Sequence, residues 1–183
     1  MKSQIAFVFI AVCLAQTYVG AFLPQSSAKQ TAAFSLADAN YFHRYTKDDQ
    51  HEYTPAGQEA LNAWADMVTI NFYPKAKEGA ALAATANAVL ETYKANSAVV
   101  VKTNSVPQTT AKPAEHLIVV TFGRPEVIEA AFARFRMHNG VGSAVIYSHR
   151  VYGKKAGPEM SAWLAKNGPA TEKNLMMWDA MPK

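Results

Sequence analysis

The sequence predicts an α+β domain in which helices pack on a mostly antiparallel sheet. Two patterns carry this prediction: short segments that alternate apolar and polar residues, as strands do, and longer segments with apolar residues at helical spacing. An Asn-Gly pair at 139–140 adds a hairpin signal between two strand-like segments. The 183 residues have the length of one domain, and 50% of them are hydrophobic, which is ample for a core.

The first elements are predicted to be a strand, a short helix and a second strand. Residues 41–45 are rich in aromatic side chains and predict a strand. Thr54 and Pro55 offer a helix cap and a first-turn proline, and apolar residues including Trp64 follow at helical spacing. Residues 67–73 alternate apolar and polar side chains, which predicts a half-buried strand.

A long helix and two further strands are predicted next. Residues 78–94 keep one apolar stripe at helical spacing, and Asn96 is suited to end that helix. Residues 98–102 are rich in valine and predict a strand. Residues 117–122 are apolar without alternation, which predicts a strand at the centre of the sheet with both faces covered.

Residues 126–138 are compatible with two structures. Pro125, the acidic residues near the start and the basic residues near the end favour a helix. The alternation of side chains after residue 131 and the Asn-Gly pair favour a strand that turns into a second strand over residues 143–152. We adopt the hairpin as the prediction.

The C-terminal segment predicts two helices. The first begins at Gly157-Pro158 and is predicted to stop at Asn167-Gly168-Pro169, and the second covers residues 171–179. In this order the elements look like those of a PsbP-like α/β/α sandwich, and the resemblance implies that fold.

The N-terminus has the pattern of a secretory signal peptide. Lys2 precedes an apolar run over residues 5–15, and small residues close the segment at Ala21, so residues 1–21 are predicted to be removed. The run is too short for a membrane-spanning helix, and no later segment is longer, so no transmembrane segment is expected. We therefore expect a secreted or periplasmic protein, and because Cys13 lies in the signal, a mature chain without cysteine.

The segment that follows the signal contains no acidic residue. Residues 22–37 are rich in Ser and Ala, which is typical of a flexible tether, so the domain is predicted to cover residues 38–183. The same composition is typical of a transit peptide, and Ala21-Phe22 resembles the junction of two-part plastid signals in some algae. An algal plastid lumen is the alternative destination.

Two stretches carry a resemblance to a known group of proteins. They are E-Y-T-P-A-G-Q at 52–58 with W64 and M-V-T at 67–69, and V-I-Y-S-H-R-V-Y-G at 145–153 with W-L at 163–164 and N-G at 167–168. They resemble small exported bacterial proteins of unassigned function, over most of residues 41–180. The resemblance implies no catalytic residue.

Several chemistries lack their usual sequence patterns. The five histidines show no H-x-H, H-x-x-x-H or H-E-x-x-H spacing, so no metal site is predicted. Nucleophile-elbow and phosphate-loop patterns are missing as well, and no cofactor or catalytic residue is predicted. A net charge of +4 is too mild to indicate a nucleic-acid partner.

One candidate site follows from the predicted hairpin. A two-residue turn would place Arg136 opposite Ser143, and Arg134, Arg136, Tyr147 and His149 would share one face. Two guanidinium groups beside a phenol and an imidazole can bind a carboxylate or phosphate. The alternative is a solvated strand face on which the arginine side chains cover Tyr147.

The sequence therefore predicts an exported, non-enzymatic binding or accessory protein that holds a protein partner or a small anionic ligand. An extracytoplasmic hydrolase or isomerase is the first alternative, with His149 paired to Glu52 or Asp66 for acid–base chemistry. An accessory protein of the thylakoid lumen is the second. A concave pocket with convergent polar groups would favour the enzyme, and a flatter patch would favour the binding protein.

Overall fold

The computed structural model describes residues 31–182. Within them lie eight strands and two helices. In chain order these are β1 (Phe34–Leu36), β2 (Ala39–Lys47), β3 (Gln50–Pro55), β4 (Asp66–Tyr73), α1 (Gly79–Ala95), β5 (Val99–Val106), β6 (Glu115–Arg124), β7 (Val127–His138), β8 (Val141–Tyr152) and α2 (Ala156–Met177).

The eight strands form one sheet in the order β1-β2-β3-β4-β8-β7-β6-β5. Every pairing in it is antiparallel. Helix α1 packs on one face, and α2 packs on the other, each with its own group of buried apolar side chains. The α+β prediction is confirmed, and its layers run helix, sheet, helix.

The helix predicted over residues 78–94 is present as α1, and its apolar stripe is buried against the sheet. Leu82, Ala86, Val89 and Tyr93 form one buried stripe along the helix, and Asn96 caps its end. At the other end, Ala76 in the preceding turn and the Leu82 side chain of α1 come very close to Gly142 on β8. A Cβ atom there would lie 2.8 Å from the Ala76 side chain, so only glycine fits without a shift.

The hairpin prediction for residues 126–152 is confirmed. Asn139 and Gly140 form the turn with left-handed φ angles of 48° and 80°, as a type I′ turn requires. Arg136 lies opposite Ser143 and Arg134 opposite Val145, in the predicted register. The alternation of side chains, and not the helix-like charge pattern, indicated the structure correctly.

The predicted short helix near Trp64 is wrong. Residues 50–55 form strand β3, and the chain then turns at Gly57, whose φ of 81° cannot continue a right-handed helix. The side chain of Gln58 accepts hydrogen bonds from the backbone N–H groups of Ala65 and Asp66, at 2.8 and 2.7 Å. These local bonds stabilise an irregular loop in place of a helix.

The predicted break in the C-terminal helix is also wrong. Helix α2 runs through Pro169 without stopping. A proline in a helix interior costs about 3 kcal/mol, but Met160 before it and Leu175 after it are both buried in the same core. Burying each such side chain contributes roughly 1.5–3 kcal/mol, which outweighs the proline when the helix is continuous.

Two boundaries differ from the prediction. Strand β1 lies within the predicted tether, and its Phe34 and Leu36 are buried in the core, so the domain begins before residue 38. Strand β6 has both faces covered as predicted, but it lies next to the edge strand β5 and not at the sheet centre. The predicted signal peptide, residues 1–21, lies outside the described residues. No helix among residues 31–182 has the length and apolar character to cross a membrane.

Candidate functional site

A pocket of about 220 Å³ opens between the N-terminal strands and helix α2. Its rim includes the exposed residues Ala37 and Asn174. Ala37 has a left-handed φ of 51°, which is unfavourable for a residue with a Cβ atom. The lining residues are Leu36, Ala37, Ala39, Tyr41, Pro55, Asp66, Tyr147, Thr171 and Asn174.

Sheet register brings the polar groups of this pocket together. Asp66 begins β4 and lies directly opposite His149 on β8. Tyr147 is two residues earlier on β8, which makes it the diagonal neighbour of Asp66 on the same face. Residues that are more than 80 positions apart in the chain therefore converge on one carboxylate.

The Asp66 carboxylate is hydrogen-bonded unequally. Its Oδ1 atom accepts from the Tyr147 hydroxyl at 2.7 Å and from Nδ1 of His149 at 2.9 Å. Among residues 31–182, its Oδ2 atom receives one long contact, 3.4 Å from Nε2 of Gln58. Since each carboxylate oxygen can accept about two hydrogen bonds, Oδ2 keeps capacity for another donor.

The protein environment keeps Asp66 ionised. Burial alone raises the pKa of Asp66, but the hydrogen bonds from His149 and Tyr147, the charge of His149 and the Gln58 amide together lower it below the usual value. Burial and the nearby Asp66 charge raise the pKa of Tyr147 and of Tyr41 far above the ordinary value. At neutral pH the pocket therefore contains one carboxylate and two neutral phenols.

An aromatic contact from α2 orients the histidine. The rings of His149 and Trp163 are stacked, with centroids 4.1 Å apart and planes inclined by 8°. Trp163 also stacks more loosely on Tyr147, at 6.4 Å. The indole thus contacts the rings of Tyr147 and His149, the two donors to Oδ1 of Asp66.

The four residues predicted as an anion site share a face as expected, but they fall into two separate groups. Tyr147 and His149 belong to the Asp66 group described above. Arg134 and Arg136 lie under the C-terminal end of α2, where both donate to the Trp178 carbonyl oxygen and to the Asp179 carboxylate.

Arg134 has no donor left for a ligand. Its guanidinium binds Glu115 through two bonds of 2.8 Å and also donates to the carbonyl oxygens of Leu175 and Trp178. The residue is 3% exposed, so it is neither an anion-binding group nor part of a solvated face. It caps the last turn of α2, where carbonyl groups lack partners within the helix. The prediction of a ligand at Arg134 is therefore corrected.

Residues 31–182 contain no cluster of three or more His, Cys, Asp or Glu side chains that could hold a metal ion.

A model of an uncharacterised bacterial protein family matches residues 30–176. The chain belongs to this family. No curated protein matches the chain.

Two solved structures align with part of this chain. The 1.9 Å crystal structure of the Saccharomyces cerevisiae Ran-binding protein Mog1p aligns with a TM-score of 0.42 and 10% identity, over 74% of this chain and 82% of that chain. Human STARD10 aligns with a TM-score of 0.30 and 9% identity, over 74% and 71%.

Sequence reasoning identified only part of this site. It named Tyr147 and His149 as ligand-binding candidates, and it named Asp66 only as one of two possible partners for His149. It mentioned Trp163 within the resemblance to exported bacterial proteins, and it assigned no role to Tyr41. Asp66 stands just before an alternating strand, but its contact with β8 depends on which strands are neighbours, and the local pattern does not contain that information.

Proposed function

We propose that this protein is an exported, non-enzymatic binding protein that holds a small organic ligand in the pocket beside Asp66. One observation carries the proposal: a small pocket, mostly apolar and aromatic, has a single charged group whose Oδ2 atom keeps acceptor capacity. Ligand sites usually combine an apolar lining with a few fixed polar groups. Here Tyr147 and His149 fix the carboxylate, and a ligand supplies the missing donor.

The pocket supports a ligand of a different charge from the one that the sequence indicated. An anion would lie against the Asp66 carboxylate, with no basic side chain among the nine lining residues to balance it. The two arginines that motivated an anionic ligand bind the end of α2. We therefore propose a neutral or cationic ligand.

The pair of His149 and Asp66 supports a second candidate, a small hydrolase or isomerase. A carboxylate that holds Nδ1 of a histidine leaves Nε2 to act as a general base. His149 is not among the residues that line the pocket, and none of those residues is a serine, cysteine or lysine that could serve as a nucleophile. These two facts favour binding over catalysis.

Export and the finer fold assignment are part of the same proposal. The signal pattern of residues 1–21 supports secretion or a periplasmic location, and the composition of residues 22–37 supports an algal plastid lumen as the alternative. One helix on each face of an antiparallel sheet supports a PsbP-like sandwich. The intact mass of the mature protein distinguishes cleavage after Ala21 from cleavage further along the chain.

The binding proposal is tested by blocking the pocket. Purified protein is screened by NMR against a set of small neutral, cationic and anionic fragments, and binders are compared with Ala39→Phe, which fills the pocket wall. Ala162→Phe, at an exposed position on α2, is the matched control. We expect fragments to shift resonances of Leu36, Tyr41 and Thr171 in the wild type and the control only. Fragments that bind Ala39→Phe equally well would refute the pocket as the binding site.

The enzyme candidate predicts a different pattern. His149→Gln would abolish turnover of a generic ester or of an enolisable ketone, while fragment binding would persist. Measurable turnover by the wild type that is lost in His149→Gln would replace the binding proposal with the enzyme.

A further inference from the structure

We propose that the ligand is a small organic amine whose ammonium group binds the Asp66 carboxylate. This inference rests on the proposed function and specifies the ligand class of the same pocket. It follows from the charges of the pocket, the aromatic groups near its carboxylate, and the polarity of its remaining wall.

The charge balance of the pocket favours a cation. Asp66 is the one charged residue among the nine that line it. Its three donors are a phenol, an imidazole and an amide; the phenol and the amide carry no charge, and the imidazole carries one only when it is protonated. A half-buried carboxylate interacts with a cation more strongly than in water, because the local dielectric constant is lower. A hydrogen bond between two charged groups is also stronger than a neutral one.

The aromatic residues of the pocket add to this preference. Tyr41 and Tyr147 both line the pocket, and the Tyr147 hydroxyl donates to Oδ1 of Asp66 at 2.7 Å. An ammonium group bound to Asp66 would therefore share the pocket with two phenol rings. Cation–π contacts of this kind contribute most where the cation is desolvated.

The rest of the wall limits the body of the ligand. Leu36, Ala37, Ala39 and Pro55 present apolar surface, and Thr171 and Asn174, nearly one turn apart on α2, add a hydroxyl and an amide. A volume of about 220 Å³ lies below the usual range of ligand pockets, which favours a small ligand. We therefore expect a short amine with a compact apolar body.

The test uses three probes that share a cyclohexyl ring and differ in the charge of its substituent: cyclohexylamine, cyclohexanol and cyclohexanecarboxylate. Their dissociation constants for the purified protein are measured by NMR titration at neutral pH. We expect cyclohexylamine to bind more tightly than cyclohexanol by roughly tenfold or more, since its hydrogen bond is charge-assisted. Cyclohexanecarboxylate is expected to bind most weakly.

Asp66→Asn provides the matched variant. Asparagine keeps an oxygen that can accept from Tyr147 and His149, so the local structure should persist. We expect the variant to bind cyclohexylamine no better than the wild type binds cyclohexanol, while its affinity for cyclohexanol stays the same. If Asp66→Asn fails to fold, the comparison of the three probes on the wild type still decides the question.

The outcomes separate this inference from the proposed function. If cyclohexanol binds in the pocket as tightly as cyclohexylamine, or cyclohexanecarboxylate binds best, the amine class is wrong and the pocket remains a binding site. If none of the probes and none of the screening fragments perturbs the pocket residues, both proposals are wrong.

Discussion

His149 on β8 and Trp163 on α2 form a parallel stack, with ring centroids 4.1 Å apart. The stack fixes the plane of the imidazole, and that plane directs Nδ1 at Asp66, 2.9 Å away. Helix α2 therefore contributes to the pocket in two ways: Thr171 and Asn174 line it, and Trp163 orients a histidine that holds its carboxylate.

Trp163→Ala should loosen this arrangement. We expect a loss of about 2 kcal/mol in the free energy of unfolding, below the range for a fully buried tryptophan because Trp163 is half-buried. The Nδ1–H proton of His149 should also exchange with water fast enough to disappear from NMR spectra. Trp163→Phe, which keeps an aromatic face, should retain most of the signal. A slowly exchanging proton in Trp163→Ala would show that the stack does not orient the ring.

Arg134→Met should be among the more destabilising single substitutions in this domain. It leaves Glu115 and the carbonyl oxygens of Leu175 and Trp178 without their buried donor. Breaking a buried ion pair in this way costs about 3–5 kcal/mol, measured by urea unfolding.

Arg136→Met is the control for that substitution. Arg136 binds the same helix end, but its partner Asp179 is largely exposed, so the expected loss is about 1 kcal/mol or less. Equal losses for the two variants would contradict the structural role assigned to Arg134.

Glu52→Gln should change how stability depends on pH. Burial, and to a lesser extent the charge of Glu129, raises the pKa of Glu52, against the effects of the Gln50 hydrogen bond and Arg150. The folded state then binds a proton more tightly than the unfolded state, so stability falls as pH rises from the ordinary glutamate pKa through the raised one. Glutamine does not titrate, so this loss of stability with rising pH disappears. Its amide oxygen can still accept the hydrogen bond that Gln50 donates to Glu52 at 2.7 Å.

We therefore expect Glu52→Gln to have a higher free energy of unfolding than the wild type at pH 7, and the difference to shrink towards pH 4. Urea titrations over this range measure it. Glu126→Gln, at an exposed position, should show no such trend. A difference that grows as the pH falls would mean that the sign of the pKa shift is wrong.

Pro169→Ala should stabilise the protein. Alanine restores an N–H donor in the middle of α2, and the expected gain is about 1–2 kcal/mol after allowing for the greater freedom of the unfolded chain. Pro158→Ala is the control, because Pro158 lies in the first turn, where its missing N–H has no helical partner. A thermal melt should show a higher Tm for Pro169→Ala alone. A lower Tm would indicate that the proline bends α2 into a shape that the core requires.

The sequence by itself determined the features that depend on neighbours in the chain. The register of β7 with β8 followed from the Asn139-Gly140 turn and a side-chain period of two. Helix α1 followed from one stripe of apolar residues. The turn at Gly57 was missed because hydrogen bonds to the Gln58 side chain outweigh the local helix preference. The continuity of α2 was missed because burial of Met160 and Leu175 outweighs the cost of Pro169.

Only the tertiary structure decided what the polar residues do. Arg134 and His149 lie on one face of the sheet. Arg134 donates to the carbonyl oxygen of Leu175, 41 residues away at the end of α2, whereas His149 binds the carboxylate of Asp66, 83 residues away. The order of strands in the sheet and the position of α2 determine those partners. Strand order and the position of α2 result from packing of the whole chain. The two helices are buried on opposite faces of the sheet by contacts between residues that are distant in the sequence, so no single segment contains a pattern that predicts them.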